Sequence, residues 1–105
     1  MATDLELLAK KIKLLRRKKH LTLEKLSEMI DVSPNHISKL EAARTNPSFT
    51  LISKLAKALD VELKDMFDFE EFKVNSLTKS DIINIFSNAD EKDLQKLLIV
   101  YNSLL

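Results

Sequence analysis

The chain of 105 residues contains no cysteine and no glycine, and each absence removes a class of chemistry. Without cysteine there is no disulfide, no thiolate nucleophile and no cysteine-ligated zinc, which is compatible with a reducing compartment. Without glycine there is no Gly-rich loop to cradle a nucleotide phosphate. No apolar run approaches the roughly 20 residues that span a bilayer. The start, Met1-Ala-Thr-Asp-Leu-Glu, carries acids where a secretory signal needs a basic and then an apolar stretch. The expected location is therefore the cytoplasm, with no membrane partner.

What is present is a chain 45% hydrophobic and 31% charged, a mixture that builds a core and stays soluble. Its length suits one domain, or one domain with an appendage. The formal net charge of +1 hides an asymmetry. Up to Met66 there are 13 Lys and Arg against 9 Asp and Glu, a balance of +4, whereas from Phe67 onward 4 face 7, a balance of −3. Much of the positive charge lies in Lys10-Lys11-Ile12-Lys13-Leu14-Leu15-Arg16-Arg17-Lys18-Lys19, where apolar residues at helical spacing leave cations pointing outward. Such a face is either a solvated helix surface or one attracted to a polyanion.

Helix signals recur along the first two thirds. Thr3-Asp4-Leu5-Glu6 is a capping box that starts a first helix near Asp4, and the stripe Leu5, Leu8, Ile12 and Leu15 carries it to about Lys18. Thr22 caps a second helix with Leu26, Met29 and Ile30 inward, Asp31-Val32 makes a turn, and Ser33 caps a third. Pro34 stands at the third helix's first position, where its missing N–H costs nothing. Two short helices joined by a tight connection form a helix-turn-helix. Ile37 and Leu40 pack the third helix inward, leaving Asn35, His36, Ser38, Lys39 and Glu41 on other faces. Ser48 caps a fourth helix carrying Phe49, Ile52, Leu55, Ala56 and Leu59, and a short fifth follows Val61 with Leu63, Met66 and Phe67. An acidic Glu41 among basic residues suits a partner to one of the domain's own cations better than a reader of bases.

Catalytic and metal-binding constellations are not found. His20 and His36 lie at helix ends with no set of acids at metal-ligand spacing, and Ser33 with His36 is explained by helix capping alone, with no orienting acid. No catalytic residues, metal or cofactor are expected, and the chain is not read as an enzyme.

The segments Leu21-Thr22, Ile37-Ser38-Lys39-Leu40-Glu41, Asn46-Pro47-Ser48 and Leu55-Ala56-Lys57-Ala58-Leu59, with the basic first helix, stand in one register over Leu8 to Phe67. In this the chain resembles the Xre family of bacterial and phage regulators, whose five-helix, lambda-repressor-like domain binds double-stranded DNA. The resemblance implies an all-α fold of that kind. It also implies base-reading positions at Pro34, Asn35, His36 and Lys39, and phosphate-binding positions at Thr22, Ser33, Arg44 and Asn46. The chemistry agrees: an Asn amide pairs with adenine N6/N7, Lys donates to guanine O6/N7, and a proline ring meets a thymine methyl. Pro34 is equally explained as first-turn chemistry, His36 as packing against the preceding turn, and Thr22 and Ser33 as caps. Where the family usually has glycine this chain has His20, Asp31, Ala43 and Asp60. Helix ends there favour φ > 0, so either the loop after the third helix is altered or Ala43 carries a strain of around 1 kcal/mol. At Leu23 the family often has a glutamine that supports phosphate and recognition-helix contacts, so one polar contact is expected to be missing.

Beyond this domain, Phe67 to Val74 interleaves Phe67, Phe69 and Phe72 with acids and reads as a connector that packs Phe69 or Phe72 back. Leu77-Thr78-Lys79-Ser80-Asp81-Ile82 is a capping box with a Leu77–Ile82 staple, Asn88-Ala89 interrupts the helix, and Asp90 caps a last one with Leu94, Leu97, Leu98, Tyr101, Leu104 and Leu105. The expected division is a DNA-binding domain over 1–68, a connector over 69–76 and a C-terminal helical pair over 77–105. Either Leu94, Leu97, Leu98, Tyr101 and Leu104 make a two-fold homodimer, or the pair folds back onto the first and fifth helices. The functional expectation is a repressor-type transcriptional regulator that occupies a palindromic operator as a dimer. The alternative is a protein-interaction module, antitoxin-like or binding a regulatory protein partner through the C-terminal helices.

Overall fold

A computed structural model describes residues 3–72, 78–86 and 89–104. The expectations for residues 73–76 of the connector, for the Leu77 staple, for Asn88 as a helix interruption and for Leu105 in the last stripe lie outside the described residues. The described residues are all-helical: α1 (Asp4–Lys18), α2 (Leu23–Ile30), α3 (Pro34–Glu41), α4 (Phe49–Ala58), 3₁₀ turns over Leu63–Phe67 and Glu70–Phe72, then α5 (Lys79–Ile85) and α6 (Glu91–Leu104).

Local chemistry sets the beginnings of these helices. The hydroxyls of Thr3, Thr22, Ser33, Ser48 and Thr78 each accept a hydrogen bond from a backbone N–H in the first turn of α1, α2, α3, α4 and α5 respectively. At the start of α6 the Asp90 carboxylate accepts from the Asp93 N–H at 2.8 Å.

The ends are as regular and less comfortable. After α1, α2, α3 and α4 the chain turns through His20, Asp31, Ala43 and Asp60, whose φ values are 56°, 57°, 56° and 61°. In each turn the N–H of the following residue reaches a carbonyl five positions back: Leu21 to Arg16, Val32 to Ser27, Arg44 to Lys39 and Val61 to Ala56. This Schellman closure requires a left-handed residue, which is why glycine suits it. Here it is made without glycine, and at Ala43 no side-chain polarity offsets the cost. Of the two expectations for the loop after α3, the structure has the unaltered turn with Ala43 itself left-handed.

The core is one continuous cluster. Leu8, Ile12, Leu26, Ile30, Ile37, Leu40, Ile52, Leu55 and Leu59 join Met66 and Phe67, and the same cluster runs on through Phe69, Ile82, Ile85, Phe86, Leu97 and Val100. The C-terminal pair is thus packed into the core of its own chain. This corrects the dimer expectation at Leu97, which is 1% exposed, whereas Leu94, Tyr101 and Leu104 are half-buried against that core. Leu98 is also half-buried. The stripe did require a cover, and α5 and the Leu63–Phe67 turn supply it. Met29, expected inward, is instead 48% exposed, because Leu23, Leu26, Ser27 and Ile30 already fill the inner face of the two-turn α2. Lys11 is the opposite case: it lies buried on α1, its ammonium paired with the Glu71 carboxylate. No described helix is long and apolar enough to cross a membrane.

Candidate nucleic-acid interface

The apolar inner side of α3 consists of Ile37 at 0% and Leu40 at 2% exposure. Everything else in its first turn and a half faces solvent: Pro34, Asn35, His36, Ser38 and Lys39 are all exposed. Asn35 and Lys39 are four apart and therefore project from one face. Ser33 caps this helix by accepting from the His36 N–H at 3.1 Å, and Thr22 caps α2 by accepting from the Lys25 N–H at 3.0 Å. Both hydroxyls stay on the surface beside helix N-termini, where the free amide groups and the helix dipole favour an anion. Thr22, Ser33 and Arg44 are exposed.

One guanidinium fixes the orientation of this face. Arg16 of α1 donates from Nε to Glu41 Oε2 at 2.7 Å and from Nη2 to Glu41 Oε1 at 3.0 Å, while its Nη1 reaches the Leu21 carbonyl at 2.8 Å. The end of α1, the entry to α2 and the end of α3 are thereby tied together by a two-pronged pair whose partners are 12% and 7% exposed. The Glu41 hydrogen bond holds Arg16 above even its ordinary pKa, against the opposing effect of burial. Glu41 is thus a partner to the domain's own cation, as its type suggests. Arg16 itself is the residue that local patterns miss. The clue is Glu41's position: a carboxylate in the last turn of a helix faces the negative end of the dipole and needs a cation nearby.

Beside this pair, Lys13, Arg17, Leu23, Ser38 and Ala42 line a depression of about 370 Å³ between α1 and α3. Lys13 and Arg17 give it positive charge. Leu23, where a polar residue would offer the same notch a hydrogen bond, lines it with an apolar side chain that also packs against the core. Asn46 differs from the other phosphate candidates. Its amide Nδ2 donates to the Ile85 carbonyl at 2.8 Å, so the side chain is engaged by the C-terminal helices. Among the described residues no three His, Cys, Asp or Glu side chains gather as a metal site.

Comparison with known proteins follows the same geometry. The helix-turn-helix family HTH_3 matches residues 12–66. The HTH-type transcriptional regulator SlrR of Bacillus subtilis (strain 168) is 37% identical over 60 residues, 56% of this chain, and the chain spans 40% of SlrR's own length. The restriction-modification controller protein C.AhdI from Aeromonas hydrophila is 31% identical over 61% of this chain and 97% of its own, with a TM-score of 0.59. The clp gene regulator ClgR from Corynebacterium glutamicum is 26% identical, with 92% of each chain covered and a TM-score of 0.64.

Proposed function

The chain belongs to the HTH_3 helix-turn-helix family of DNA-binding transcription regulators, and from that premise we propose that it reads a palindromic operator as a dimer and represses by occupying it. The observation that carries this reading is the display of α3: two buried anchors and an outward face of Pro34, Asn35, His36, Ser38 and Lys39. Asn35 and Lys39 supply the base contacts, with Pro34 and His36 at their edges. Thr22, Ser33, Arg44 and Asn46 hold phosphates and set the register, aided by Lys13 and Arg17 on the neighbouring shoulder.

Dimerisation uses the surface of α6 that the chain leaves open. Ile99 is 67% exposed, above a groove of about 540 Å³ floored by Phe49, Val61, Leu63 and Val100. A second copy laid across it in two-fold fashion would meet the requirement of a palindrome, which needs two α3 helices roughly 34 Å apart to enter successive major grooves.

Selection of bound sequences from random duplexes by the purified protein tests this directly. A palindrome with half-sites about 10 base pairs apart is expected. Recovery of random sequences, with affinity only weakly dependent on salt, would contradict it and favour the protein-interaction reading.

A further inference from the structure

The loop between α3 and α4, residues 44–48, carries two of the four phosphate candidates, Arg44 and Asn46, and it is held from both sides. On the α3 side the left-handed Ala43 and the Arg44 N–H to Lys39 carbonyl bond, 2.9 Å long, close the helix. On the other side the grip comes from the C-terminal helices, 39 residues away in sequence. Ile85 is the last residue of α5, and its carbonyl is one of those a helix end leaves without an internal partner; Asn46 Nδ2 satisfies it. The next residue, Phe86, is 4% exposed and stands edge-on to Phe49 at 6.0 Å and to Phe67 at 5.9 Å. Phe49 opens α4 directly behind Pro47, which is itself buried, and Ser48, which caps the helix. A gap of only about 120 Å³ remains between Asn46, Pro47, Ser48, Phe86 and Asp93, too small for anything but a few atoms. Two further contacts hold the tail in place, Lys11 with Glu71 and the Lys96 ammonium 5.8 Å above the Phe49 ring.

We propose that the α5–α6 pair is a positioning element for the phosphate-contacting loop: the Ile85 carbonyl and the Phe86 ring hold residues 44–48 in the shape that meets DNA, coupling tail docking to DNA affinity. This rests on the DNA-binding reading above. It goes beyond that reading because Ile85 and Phe86 lie outside the residues that match the helix-turn-helix family. By linkage the coupling runs both ways: whatever loosens the tail weakens DNA binding, and bound DNA tightens the tail.

The test uses the full chain and the duplex chosen by selection. Phe86→Ala, and Phe86→Leu should the first not fold, are compared with Ile30→Val, a small cavity variant in the core at the end of α2, outside both the tail and the groove beside Ile99. Phe86→Ala is expected to weaken binding roughly tenfold on selected and random duplexes alike and to lower the salt slope by about one, as loss of a phosphate contact does. Phe86→Leu is expected to show the same pattern to a smaller degree, and Ile30→Val to lose thermal stability with affinity and slope unchanged. Hydrogen exchange in α5 and α6 should slow when DNA is added to the unsubstituted protein. A folded Phe86 variant with unchanged affinity and slope, or an Ile30→Val protein equally impaired, would overturn the proposal. Failure of the unsubstituted protein to bind DNA with a steep salt dependence would instead remove the DNA reading on which it stands.

Discussion

Helices α3 and α6 use the same periodicity for opposite ends. The eight residues of α3 spend two apolar side chains, Ile37 and Leu40, and the Glu41 carboxylate on attachment and expose a polar face with no large apolar residue on it. In α6, Leu97 and Val100 are buried and Leu94, Tyr101 and Leu104 are half-buried, leaving Ile99 as the large apolar side chain open to solvent. A narrow stripe anchors a helix whose remaining surface stays free for a ligand; a wide one marks a helix that serves as cover. The difference separates display from support, and it can be broken experimentally at either end.

The largest effect is expected at the supporting end. Leu97→Ala should cost about 4 kcal/mol in unfolding free energy, as cavity-forming changes in a core do. Chemical denaturation at low concentration, where oligomers dissociate, checks this. A variant as stable as the parent would return Leu97 to a surface between copies.

At the displaying end the Arg16–Glu41 fork sets the frame. Removing one partner of a nearly buried pair leaves the other charge unsatisfied, so Glu41→Ala should cost about 3 kcal/mol. Thermal unfolding reads that loss, and operator affinity should fall with it because α3 is then released from α1. Glu41→Gln, which retains one acceptor oxygen, should lie between the two.

Ala43→Gly offers a smaller gain of stability. Relief of the left-handed alanine, reduced by glycine's greater freedom in the unfolded chain, should raise stability by about 1 kcal/mol. A loss at this site would mean that the turn after α3 carries no strain.

The smallest expected effects lie where α1 meets α5. Burial, and then the nearby Asp81 carboxylate, push the Asp4 carboxyl above its ordinary pKa, so it opposes folding once ionised and its contribution worsens as pH rises through that raised value. Asp81 has the opposite sign. Hydrogen bonds from the Thr78 hydroxyl and the Thr78 N–H hold it below the usual carboxylate range, so its stabilisation is present above the unfolded value and is lost as pH falls through the folded one. Asp4→Asn should therefore raise the melting temperature slightly at neutral pH and Asp81→Asn lower it, with the two differences shrinking on acidification.

These contrasts also explain what a reading of residues alone recovers. Thr22, Ser33 and Ser48 announce the starts of α2, α3 and α4 because capping is a contact between neighbours in the chain, and His20, Asp31, Ala43 and Asp60 stand where a helix must turn left-handed. The exposed face of α3 follows from Ile37 and Leu40 in the same local way. Lys11, Arg16 and Asn46 are different. Their partners Glu71, Glu41 and Ile85 lie 60, 25 and 39 positions away, and no pattern within a helix specifies such a meeting. The stripe on α6 is a related case: periodicity shows that a face is covered, whereas the choice between a second copy and the chain's own core depends on where residues 67–90 carry it.

Whether the outward face of α3 reads bases is decided by comparing Asn35→Ala and Lys39→Ala with the unsubstituted protein on the selected operator and on random duplex at one salt concentration. Each substitution is predicted to cost about 1–3 kcal/mol on the operator and little on random DNA. Equal losses on both duplexes, or none on either, would contradict base reading.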